Sequence, residues 1–137
     1  MTLRSRFART LPVATLGLFL AALAGGSVSA QTLRENYTAR LSRADHYNSN
    51  GERLTTPAAI LRQDRANFHR FGIRDEEDEG DRFFADASNR ALMERYIAGG
   101  RISAEAAEEV VNGTPLVKVY IYRLDNGRDF VNVDVLP

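Results

Sequence analysis

The chain begins with an apolar block: Leu11 to Ala24 is interrupted only by Thr15, follows Arg4, Arg6 and Arg9, and gives way to Gly25-Gly26-Ser27. A positive start, an apolar centre and small residues at Val28-Ser29-Ala30 predict a secretory leader over residues 1–30, cleaved after Ala30. The apolar run is about 14 residues long, short of the roughly 20 that cross a bilayer. Past the leader, Tyr37, Ala39 and Leu41 alternate with Thr38, Arg40 and Ser42, as in a short strand with one buried face. The stretch from Asp45 to Gly51 is rich in turn formers and predicts an exposed loop.

Three helices are expected next. Thr56 before Pro57 supplies a capping oxygen and a preset first-turn dihedral, so a helix should run from residue 57 to Phe71 and close at Gly72. At about 100° per residue, Pro57, Ile60, Leu61, Phe68 and Phe71 gather on one side, with Arg62, Arg65 and His69 on the other. Leu92, Met93, Tyr96 and Ile97 mark a second helix over 88–98, ended by Gly99-Gly100. A third runs from Ser103, as cap, to Val111, with Asn112-Gly113 as its stop.

The last segment holds two β-rich runs, Leu116 to Leu124 and Asp129 to Leu136, around Asp125-Asn126-Gly127. A two-residue turn would set valines against polar residues. A three-residue loop with Gly127 in the left-handed position instead aligns Val117, Val119 and Ile121 with Val135, Val133 and Val131. That register predicts a valine face under the helices and a reverse face carrying Tyr120, Tyr122 and Phe130, with Tyr37 and Leu41 as candidate cover. The fold class expected is α+β: three short helices packed on a small antiparallel sheet with a C-terminal β-hairpin, in one domain over 31–137.

Composition changes this picture in two ways. There is no cysteine, which excludes disulfides, thiolate metal sites and a lipid-bearing cysteine, so the domain needs a real apolar core. Although the formal charge is zero, three of the 18 basic residues leave with the leader while all 18 acids remain, so the 107-residue mature chain carries −3.

Candidate chemistry is sparse. Acids at Asp75, Glu77, Glu79, Asp81 and Asp86, with Gly80 at the sixth place, resemble an EF-hand calcium loop over twelve residues. The longer Glu77 and Glu79, the short Asp86 and Arg82 in the usually apolar eighth place depart from that pattern, and a solvated acidic loop is the competing expectation. Asp64 falls within the apolar stripe of the first helix, so it should be buried, either paired with an arginine such as Arg40 or serving as a catalytic acid in a cleft. His46 and His69 are read as surface histidines without metal-site spacing. Ser88 and Ser103 are read as helix caps.

Two surfaces are candidates for binding: the arginine side of the first helix, with Arg62, Arg65, His69, Arg70 and nearby Arg74, and the aromatics Tyr120, Tyr122 and Phe130. The function expected is an exported, periplasmic or secreted, non-catalytic binding or interaction domain. Its partner would be an envelope protein or an anionic polymer and not nucleic acid. A small envelope hydrolase using Asp64 or His46, or a calcium-stabilised module using the 75–86 loop, are the alternatives.

Overall fold

The computed structural model describes residues 29–137, so the predicted leader lies outside the described residues except for Ser29 and Ala30. The first strand, β1 (Gln31–Arg40), is longer than the alternation around Tyr37 suggests, because it also pairs where its residues are exposed. It is followed by a short 3₁₀ turn (Arg43–His46), α1 (Pro57–Ala66), α2 (Ala87–Ala91), α3 (Met93–Ala98), β2 (Arg101–Ile102), α4 (Ala104–Asn112), β3 (Leu116–Leu124) and β4 (Asp129–Val135).

The sheet order is β1-β3-β4-β2, which places the C-terminal hairpin at the centre. Val117, Val119 and Ile121 lie opposite Val135, Val133 and Val131, the register that the three-residue loop requires. Gly127 closes that loop at φ 80°, a conformation that side chains with a Cβ rarely adopt. The hairpin and β1 are antiparallel, while the two-residue β2 runs parallel to β4 and makes the sheet mixed.

Helices α1, α3 and α4 pack on the valine face. Val117, Val119, Ile121, Val131 and Val133 meet Ile60, Leu61, Met93, Tyr96 and Val110, and β1 adds Tyr37, Ala39 and Leu41 on the same side. Tyr37 therefore does not cover the aromatic reverse face, since it lies opposite Val119 and shares that residue's side of the sheet. The described core draws on residues between Tyr37 and Val133.

The helices begin where their caps predict, with two corrections. The Thr56 hydroxyl accepts from the Ala59 N–H, and the Ser103 hydroxyl from that of Ala106. The cap of α2 is Asp86 rather than Ser88: its carboxylate accepts from the Ser88 N–H. The single helix expected over 88–98 is two, because Leu92 leaves helical geometry at φ −97°, ψ 8°.

Beyond α1 the helix widens into a π-turn, Asn67–Phe71, before Gly72 ends it in the left-handed conformation. The wider turn shifts the phase of the apolar stripe, so Phe68 stays buried while Phe71 emerges with 46 % exposure. The expected loop at 45–51 also begins inside the protein: Asp45 and His46 are buried in the 3₁₀ turn. His46 is thus not a surface histidine, and its ring nitrogens lie 2.8 Å from the Ser42 carbonyl and 2.9 Å from that of Val110. The ring ties this turn to the C-terminal end of α4, where carbonyls have no helical partner.

At Gly100 the chain turns beside β4 so closely that a Cβ would sit 1.8 Å from the Val131 carbonyl oxygen. Gly100→Ala should displace β2 and lower stability by about 1–3 kcal/mol, the usual cost of overpacking. Thermal unfolding of the 31–137 domain checks this, with Gly113→Ala, whose added Cβ would have its closest contact at 3.0 Å, as the milder comparison.

Candidate functional site

The residue that sequence pattern singles out, Asp64, is buried as expected, but its partner is the adjacent Arg65 rather than Arg40. Arg65 Nε donates to Asp64 Oδ2 at 2.7 Å, and Nη1 donates to the Glu79 carbonyl at 2.9 Å and to Asp81 Oδ1 at 3.1 Å. The guanidinium lies 4.0 Å above the Tyr37 ring centroid and 4.7 Å from that of Phe68. Arg65, expected on the solvent side of the helix, is 0 % exposed. The segment from Glu79 to Phe84 folds over that flank, so α1 is buried on two sides instead of one.

Asp81 joins the cluster from that segment. Its Oδ1 also meets His69 Nε2 at 2.8 Å, and its Oδ2 accepts the Phe84 N–H. His69 is therefore largely covered, with 13 % of its side chain exposed. Two carboxylates surround one guanidinium, and burial raises the Asp64 carboxyl to about pH 7 against the opposing pull of Arg65. The arrangement can hold a proton near neutrality. The main surface grooves, however, are not lined by Asp64, His69 or His46.

The other predicted groups are dispersed. Arg62 stays exposed, Arg70 lies over the Phe71 ring at 5.1 Å, and Arg74 lies over Phe68 at 4.0 Å while donating to the Phe68 carbonyl. The helix arginines do not form one open face. Tyr120, Tyr122 and Phe130 do come together, with ring centroids 6.5 Å and 5.2 Å apart in near-parallel stacks, on the face that no described helix covers. Tyr120 and Tyr122 are half-buried, whereas Phe130 is buried.

Four of the five acids of the calcium-like loop are engaged one by one. Glu77 pairs with Arg40 at 2.8 Å, Glu79 accepts from the Thr38 N–H and from Lys118, Asp81 serves Arg65, and Asp86 caps α2. Among the described residues no three His, Cys, Asp or Glu side chains gather as a metal site would require. Instead the stretch lies along the outer edge of β1: the Glu79 N–H donates to the Thr38 carbonyl, Asp78 accepts from Arg40 N–H, and Glu35 accepts from the Arg82 and Phe83 N–H groups. It thereby covers a strand edge that would otherwise be open to pairing.

A different set of arginines forms a shared site at the hairpin end of the sheet. Arg123 grips Asp129 with two bonds of 2.9 Å, and Arg34 Nη1 reaches the same carboxylate at 3.1 Å. Burial acts to raise the Asp129 carboxyl, but these guanidiniums outweigh it and hold it below the usual range. Arg34 sits at the bulge between Leu33 and Glu35 and lies over the Phe83 ring at 5.2 Å. These two arginines line a groove of about 650 Å³ with Arg82, and Arg95 and Arg128 line a second of about 470 Å³ on the other side of Asp129.

Five guanidiniums thus face three lining carboxylates, each already engaged: Glu35 on two backbone N–H groups, Asp86 on its helix cap, Asp129 on two arginines. The far end of the sheet has the opposite balance. There Glu105, Glu109 and Asp134 line a groove with Arg101, and Glu77 lies beside Arg40.

Sequence reasoning missed Arg34, Arg82, Arg95, Arg123, Arg128 and Asp129. Arg123 and Asp129 face each other directly in the hairpin register, which was the one available signal. No family model matches this chain, and neither a curated protein nor a solved structure is significantly similar to it.

Because Asp64 binds its proton more tightly folded than unfolded, its contribution is full at low pH and is lost as pH rises toward 7. The slope from this one group is at most about 1.4 kcal/mol per pH unit. Asp64→Asn should remove that component, so the stability difference between variant and parent should shift in the variant's favour between pH 4 and pH 7. Urea unfolding across this range measures it.

Proposed function

We propose that the mature chain is an exported, non-catalytic domain that binds oxyanions of the phosphate class through the arginine grooves around Asp129. The observation that carries this is the sharing of one carboxylate by Arg34 and Arg123, both partly open to the groove that Arg82 also lines. Arginines already held in place lose less freedom on meeting a ligand, and their planar forks suit phosphate oxygens. The internal acids are occupied, so the positive excess is available to a ligand. A phosphate-bearing envelope polymer fits this chemistry.

Export rests on the leader pattern at residues 1–30, and the non-catalytic assignment on the closure of Asp64, His46 and His69 away from the grooves. Inorganic pyrophosphate titrated into ¹⁵N-labelled 31–137 protein at low salt should shift the amide signals of Arg34, Arg82, Arg123 and Asp129. Arg82→Glu should weaken that binding roughly tenfold, about 1.4 kcal/mol. Unchanged signals at millimolar pyrophosphate would overturn the assignment.

A further inference from the structure

The second of the two arginine grooves, between the outer edge of β4 and the end of α3, differs in kind from the first. Besides Arg95 and Arg128 it is lined by Tyr96, Leu124 and Phe130, so guanidiniums and apolar groups share one cavity of about 470 Å³. The groove around Arg34 and Arg82 has one large apolar residue, Phe83, in its lining. A cavity of a few hundred Å³ with apolar walls and a few placed polar groups is the usual form of a small-molecule site. Both rings are held in place: Phe130 stacks on Tyr122 at 5.2 Å, and Tyr96 packs against Phe83 at 5.4 Å while its hydroxyl donates to Asn89 Oδ1. Gly99 lies beside Phe130, where a Cβ would be 3.5 Å from the Phe130 Cβ, and its backbone is right-handed at φ −83°. Backbone conformation therefore does not demand glycine there, and its missing side chain leaves room in the groove.

The polar groups of this groove are open to a ligand. Among the described residues neither Arg95 nor Arg128 enters an ion pair, and the Asp129 carboxylate is taken by Arg34 and Arg123. The Leu124 N–H donates to the Arg128 carbonyl and the Leu136 N–H to the Leu116 carbonyl, so the even-numbered residues on the β4 side bond to β3 and the odd-numbered ones direct their backbone groups to the other edge. β2 covers that edge only at Asn132 and Val133. The Asp129 N–H thus joins the two guanidiniums as a donor on the groove side.

We infer that this groove takes a phosphate monoester with a flat apolar group. Arg95, Arg128 and the Asp129 N–H meet the phosphate oxygens, and the apolar group lies on Tyr96, Leu124 and Phe130 beside Gly99. The inference rests on the oxyanion-binding proposal and adds the body that carries the oxyanion. A bare phosphate leaves these apolar walls in water, whereas a ring in the groove removes apolar area from water on both partners.

The test is a titration of phenyl phosphate and of inorganic phosphate into the ¹⁵N-labelled protein at low salt, beside that of pyrophosphate. Phenyl phosphate should shift the amide signals of Arg95, Gly99, Asp129 and Phe130 and bind roughly tenfold more tightly than inorganic phosphate, the gain expected from burying part of one ring. Gly99→Leu fills the groove without altering charge and should reduce that preference to parity, with the pyrophosphate shifts of Arg34 and Arg82 in place. The double variant Arg95→Gln, Arg128→Gln should weaken phenyl phosphate several-fold. Equal affinity for the two phosphates in the parent, or an unchanged preference in Gly99→Leu, would overturn the inference, and the oxyanion proposal would stand on the pyrophosphate shifts of Arg34 and Arg82. Silence to phenyl phosphate and pyrophosphate alike removes both.

Discussion

One buried guanidinium organises the packing around α1. Arg65 is closed off from solvent, yet its charge is met by Asp64 on its own helix, by Asp81 and the Glu79 carbonyl on the segment that follows, and by the Tyr37 ring of β1. Removing a charge from water costs several kcal/mol unless partners replace the solvent, so this cluster is stable only when α1, the 79–84 segment and β1 are all in place. Its value lies in specifying one arrangement more than in adding to stability.

That arrangement reaches the surface. With Glu79 and Asp81 held, the intervening chain runs along β1 and gives its backbone to Thr38 and, further on, to Glu35. The same path seals the strand edge, brings Phe83 and Phe84 into the core, and delivers Arg82 to the groove that Arg34 and Arg123 share. An acidic stretch that resembles a calcium loop in one dimension is thus a strand-edge cover in three. The charge separation along the sheet follows from it, since the acids at the start of the stretch stay near Arg40 while its arginine reaches the Arg34 end.

The features legible in the sequence were those governed by neighbours. The hairpin register followed from matching two valine rows through Gly127, and the starts of α1 and α4 followed from Thr56 and Ser103. Asp64 was readable as buried because three apolar positions flank it at helical spacing. Arg65 was not, because the segment that covers it has no hydrophobic period and arrives from 14 to 16 residues away. Phe71 was misplaced by a π-turn that alters the angle per residue without any proline or glycine to announce it. The arginine site depends on partners such as Arg34 and Asp129, 95 residues apart, and on a bulge that carries no sequence signature.

The fork of Arg65 holds the edge-covering segment in position and so shapes the arginine groove. Lysine at this position keeps the charge but has only a single ammonium to offer Asp64, Asp81 and Glu79. Amide hydrogen exchange in Arg65→Lys tests the claim most directly. Protection at Glu79, Arg82 and Phe83 should fall sharply while that of Val119 and Val131 in the hairpin persists. Unchanged protection at those three amides in the lysine variant would contradict it.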